Sequence, residues 1–162
     1  MYRLLVTLHV LAAVTWLGGI AFLALVGAPV LRRVHDAALR QRLFDALGQR
    51  FRIVGWSAVA LAIASGAGIL WTRGWLGASV ILAPAFWRSP AGQLLAAKLV
   101  LVALMLGATA WHDVVDGPRA SAATPGSPAA LALRTRAMRL ARVTGGLALL
   151  VLVAGVWLSR AP

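Results

Sequence analysis

The sequence predicts an all-α integral membrane four-helix bundle with an amphipathic surface helix between its first and second spans. Three observations carry that prediction. Of the 162 residues, 61% are hydrophobic and 12% charged, where a soluble domain is about half apolar and a quarter charged. Four apolar stretches approach the roughly 20 residues that cross a hydrocarbon core. Arginines gather between those stretches and at their ends.

The spans are expected over 4–30, 53–71, 94–111 and 140–158, within a single membrane domain 1–162. The first is too long for the apolar core of a signal peptide. Its small-residue segment Val26-Gly27-Ala28 is followed by Pro29, which should block cleavage, so it reads as a retained helix. Over 31–49, Leu31, Val34, Ala38, Leu39, Leu43, Phe44 and Leu47 recur at helical spacing with arginines elsewhere on the cylinder. That pattern suits a helix lying on the membrane surface. The segment 117–128 is small and proline-rich and reads as a mobile loop.

Charge sets the topology. Arg32, Arg33, Arg40, Arg42, Arg50 and Arg52 lie between spans one and two, and Arg119, Arg134, Arg136, Arg139 and Arg142 between three and four. Arg3, Arg73, Arg88 and Arg160 fall on the other side. The positive-inside rule then puts both basic loops in the cytoplasm and both termini outside. A net charge of +12 would suit nucleic acid in a soluble protein; flanking membrane spans, it belongs to topology. With no cysteine, disulfides, thiolate metal sites and cysteine nucleophiles are excluded. No catalytic triad or phosphate-binding glycine loop appears.

Three side chains are expensive in lipid: His9, Lys98 and His112. His9 shares a face with Ala12, Ala13, Trp16 and Gly19, whose small residues let a helix or a flat ligand approach closely. A histidine hydrogen-bonded inside the bundle, with no ligand, fits the same face. Lys98 is the one lysine in a chain that otherwise uses arginine. It either snorkels to the headgroups or faces the interior with Met105, Thr109 and His112, which continue its stripe. His9 and Lys98 lie at similar depth, and His112 roughly 20 Å below. His9 and His112 therefore cannot be two axial ligands of one haem. If haem b is bound, His9 is the ligand and Lys98 a second ligand or a propionate partner. Asp116, one turn beyond His112, makes these two a candidate cation site or proton relay; Asp113 and Asp116 otherwise pair with arginines, Arg119 being nearest. Candidate metal ligands are thus His9, His112 and Asp116, and His9, Lys98, Trp16 and Gly19 are candidates for lining a cofactor. Cu(I) prefers sulfur, and the chain offers only 3 Met. The pairs Gly18-Gly19, Gly66/Gly68 and Gly145-Gly146 read as helix-packing positions.

The stretch Leu8-His9-Val10-Leu11-Ala12-Ala13-Val14-Thr15-Trp16-Leu17-Gly18-Gly19, with Arg50-Phe51-Arg52-Ile53-Val54-Gly55-Trp56, Lys98-Leu99-Val100-Leu101-Val102 and His112-Asp113 through Gly117-Pro118-Arg119, resembles short members of the copper resistance D (CopD) family. The resemblance implies copper handling at a bacterial inner membrane, often beside a periplasmic copper-binding partner. The His9/Trp16/Gly19 pattern with Lys98-Leu99 also resembles HemJ-type protoporphyrinogen oxidases. That implies haem b, with His9 and Lys98 as the residues that matter. The expectations are therefore copper ion or haem b at His9 and Lys98, or a structural subunit of a larger membrane complex. Single-cysteine variants test the topology: Ser127→Cys should be labelled by an impermeant reagent only from the cytoplasmic side, and Ser79→Cys only from outside.

Overall fold

A computed structural model describes residues 1–160, without the side chains of Arg134 and Arg160. Those two arginines of the charge count, and residues 161–162 of the expected domain, lie outside the described residues. The chain forms four apolar rods: Tyr2–Arg32, Ala37–Thr72, Pro90–Ala122 and Pro128–Ser159. No strand occurs among the described residues. The all-α membrane bundle is confirmed, and its outer faces carry Leu, Val, Ile and Trp open to lipid.

The first rod is α1 (Tyr2–Phe22), a π-helical turn (Leu23–Gly27) and α2 (Ala28–Arg32). The third repeats the device. It runs α6 (Pro90–Trp111), a π-helical turn (His112–Asp116) and α7 (Gly117–Ala122). Pro29 and Pro118 each sit just after the π turn, in the first turn of the helix that follows. A proline inside a helix removes a donor and crowds the carbonyl four residues back. Here that carbonyl lies within the widened turn, whose closing bonds run to the fifth residue back: Ala28 N–H to Leu23 O, and Gly117 N–H to His112 O. The helix passes the proline and continues. The expected mobile loop over 117–128 is thus corrected: its first half is helical, because the π turn accommodates Pro118.

The second rod, α3 (Ala37–Thr72), is a single helix of 36 residues, about 54 Å long and so well beyond a roughly 30 Å hydrocarbon core. The surface helix expected over 31–49 is not a separate element. Residues 31–32 end α2, and 37–49 are the first turns of α3, since no proline interrupts the chain before Ile53. Its polar face has protein partners. Gln41 Nε2 donates to the carbonyls of Ala120, Ser121 and Ala123 at 3.4, 3.0 and 3.2 Å, and Ser121 Oγ donates to Asp45 Oδ1 at 3.0 Å. The amphipathic stretch therefore docks the end of α7. Asp36 caps α3, accepting from Ala38 N at 2.8 Å and Leu39 N at 3.1 Å. The N–H groups of Leu39 and Ala38 hold its carboxyl below the usual carboxylate range. The cap's contribution is present above that range and lost as pH falls through the lowered pKa.

Past the end of α3 the chain turns at Gly74, whose φ of 73° suits glycine. Two short helices, α4 (Ala78–Ile81) and α5 (Pro84–Arg88), fold back over the bundle end. Phe86 meets Trp75 and Trp87 edge to face at 5.4 and 5.2 Å. Arg73 lies over Trp75 and donates to Tyr2 Oη at 3.2 Å and Leu158 O at 3.4 Å, binding three rods together. The fourth rod is α8 (Pro128–Arg160).

α1 packs along α3 and α6 along α8, forming two hairpins that meet mainly through α1 and α8. The core is one layer: Trp16, Ala58, Val59, Met105 and Ala148, flanked by Leu17, Ile20, Leu106 and Leu147. Among the glycines, Gly19 receives the Phe51 ring and Gly68 receives Leu5. Gly18, Gly145 and Gly146 differ from the packing expectation, with nothing within 4 Å of an added Cβ. Gly18 and Gly145 instead line an open groove between α1 and α8. Gly19→Leu should therefore destabilise the bundle by about 1–3 kcal/mol, while Gly145→Leu stays within about 0.5 kcal/mol, as read by thermal unfolding in detergent.

Candidate functional site

The core layer fixes the level of everything above it. Seven residues from Trp16, Val59, Met105 and Ala148, counted toward the end that carries the termini, stand His9, Gly66, Lys98 and Gly155. Seven residues are two helical turns, so these four share one level roughly 10 Å from the core layer. The contacts agree. A Cβ on Gly66 would lie 3.2 Å from His9 Cε1, and one on Gly155 would lie 3.3 Å from Lys98 Nζ. Each polar side chain thus occupies a slot cut by a glycine on the neighbouring helix of its hairpin.

The slot sets the chemistry of His9. Its Nδ1 is 2.8 Å from Ala62 O and 3.2 Å from Ser65 Oγ. A carbonyl oxygen only accepts, so Nδ1 carries the hydrogen. Ser65 is buried and donates its own hydroxyl to Leu61 O at 2.6 Å. It is therefore available as a second acceptor for the imidazole. With Nδ1 committed, Nε2 is the atom that keeps its lone pair, the form in which imidazole binds metals.

Lys98 stands at the same level, in the other hairpin. Its amine end lies against Gly155. No acidic side chain shares this level: Asp36, Asp45, Asp113 and Asp116 all lie toward the arginine-rich end. Trp16 and Gly19, which share the His9 face in sequence, are taken up by packing. Trp16 is 5% exposed in the core layer beside Gly55, and Phe51 fills the space at Gly19. That part of the face is closed by α3.

His112 and Asp116 are elsewhere. They lie on the π turn at the arginine-rich end, fourteen or more residues along the rod from Lys98, or roughly 20 Å. Asp116 faces Arg136, Nε to Oδ2 3.3 Å, in place of the expected Arg119. α8 packs against the π turn and brings Arg136 to it. Asp113 accepts from Trp56 Nε1 at 2.7 Å. Among the described residues, no group of three or more His, Cys, Asp or Glu could hold a metal ion. His9, His112 and Asp116 are therefore not one centre. Sequence reasoning missed Ala62, Ser65, Gly66 and Gly155. The two glycines were visible as small residues in apolar helices, but nothing local said what they face.

A protein-family model described as Copper resistance protein D matches residues 45–158. No curated protein matches, and no solved structure does. The matched stretch contains Lys98, His112 and Asp116, and it begins after the helix that carries His9. The Gly66 slot is testable directly. Histidine side-chain ¹⁵N spectra should show His9 fixed as the Nδ1-protonated tautomer; Gly66→Leu should abolish that preference, while Ser65→Ala, which leaves the Ala62 carbonyl in place, should retain it.

Proposed function

The chain belongs to the copper resistance protein D family, and from that premise we propose that this membrane protein handles copper through an intramembrane station at His9 and Lys98. The observation that carries the reading is the 2.8 Å contact between His9 Nδ1 and the Ala62 carbonyl. Ala62 takes the Nδ1 hydrogen, so an unprotonated imidazole nitrogen is held ready inside the membrane-spanning part of the bundle. A lone imidazole is a modest ligand. The nearby Lys98 ammonium opposes a second positive charge, so an ion held there is released readily. Both properties suit passage better than storage. Imidazole suits Cu(II), the state in which such a station would meet the ion. By the positive-inside rule the His9 level lies toward the outer face of a bacterial cytoplasmic membrane. A periplasmic copper-binding protein would deliver there.

A second reading rests on the same two side chains. A fixed Nε2 lone pair is also an axial ligand for haem b, and an ammonium nearby would pair with a propionate; the protein would then be a membrane redox enzyme. The reduced-minus-oxidised absorbance spectrum of the purified protein separates the two, since only the haem reading expects a cytochrome b signature lost in His9→Ala. For the copper reading, His9→Ala should remove the protein's effect on cellular copper content while insertion persists, and Lys98→Met should alter it. Unchanged copper accumulation in His9→Ala would sink the proposal. A purely structural subunit would tolerate both changes and fail instead when Gly19 or Gly68 is enlarged.

A further inference from the structure

The buried carboxylate at the arginine-rich end has no role in the site above. Asp116 is 1% exposed, and among the described residues neither of its oxygens accepts a hydrogen bond. Its ion-pair partner, Arg136, approaches Oδ2 at 3.3 Å through Nε, from a side chain that is 55% exposed. An ionised carboxylate taken out of water ordinarily accepts several hydrogen bonds or holds its counter-charge firmly. Asp116 does neither, so most of its acceptor capacity is open. Four residues back, on the same π turn, the Nδ1 of His112 is also buried without a hydrogen-bond partner among the described residues. Both groups thus lie without hydrogen-bond partners on one π turn, and π turns occur frequently at functional sites.

We infer that Asp116 and the Nδ1 of His112 form a second cation site, the station at the arginine-rich end for the metal ion that His9 meets on the other side. This rests on the copper-handling reading. One carboxylate and one imidazole, without sulfur, suit a borderline divalent ion such as Cu(II). The described residues supply no third acidic, histidine or cysteine ligand, so water completes the coordination and the ion exchanges. Arg136 is the placeholder. Its guanidinium lies on Asp116 when no ion is there, and its Cζ is already 6.0 Å from the centre of the Trp111 ring. That ring gives the displaced cation a surface to rest on. Arg52, whose Nη2 lies 3.8 Å from the Cβ position of Gly117, and Arg119 on α7 add positive charge around the turn. Asp113 is held by Trp56. The surroundings therefore admit one ion and favour its departure.

The test counts Cu(II) ions by electron paramagnetic resonance in the full-length protein in zwitterionic nanodiscs. It uses a His35→Ala background, which removes an exposed imidazole next to Asp36. Two bound ions are expected. Asp116→Asn and His112→Gln should each lose one, and His9→Ala should lose the other. Arg136→Gln should keep both and tighten the inner one. Asn is close in shape to Asp, and if it disturbs insertion, His112→Gln gives the same reading. One bound ion, lost only in His9→Ala, would overturn the second site and leave the proposed function standing. Two ions retained in both inner-site variants would also overturn it. Loss in the inner-site variants with none in His9→Ala would support this site and overturn the His9 station.

Discussion

Register between the two hairpins depends on one layer of packing, in which the Trp16 indole lies among Ala58, Val59, Met105 and Ala148. In a bilayer, lipid tails are as apolar as leucine, so close packing and not apolar burial distinguishes one helix arrangement from another. The layer mixes one large ring with small alanines, and that shape fixes the height of each rod. Once the height is fixed, two turns in one direction bring His9 to Gly66 and Lys98 to Gly155. Eleven residues along α6 and its π turn in the other direction bring Asp116 to Arg136. The polar chemistry at both ends is set by packing in the middle.

Much of this was legible in the sequence. Hydropathy gave four spans because the bilayer demands length and apolarity together, and helical counting put His9 level with Lys98 and well away from His112. The rest failed for identifiable reasons. Pro118 read as part of a loop because proline breaks an α-helix, and the π turn that lets the helix continue has no local signature. The arginine-bordered stripe over 31–49 read as lipid-facing because amphipathic periodicity does not name a partner. Gln41 meets the end of α7 only after most of the chain has folded back. Gly66 and Gly155 are apolar-helix glycines like any other until the antiparallel pairing puts a polar side chain in front of each.

The distribution of charge inside the bundle is lopsided. One cation stands at the His9 level without an anion, and one anion is buried at the other end under a loosely engaged arginine. Isolated charges are costly in a low-dielectric interior. A stably paired bundle would place Lys98 and Asp116 together. Keeping them two rods' packing layer apart gives each end an unsatisfied group of opposite character, so the interior is polarised along its long axis.

The π turns give the rods different mechanical characters. α3 and α8 run uninterrupted for 36 and 33 residues, and they supply the glycine slots. The rods that carry His9 and Lys98 each contain one turn with an extra residue wound into it. Moving such a turn along the helix would change the facing only of the residues it passes, by roughly 100°. The bundle therefore pairs two uninterrupted helices with two that each carry a wound-in residue, and His9, Lys98, His112 and Asp116 all lie on the interrupted pair.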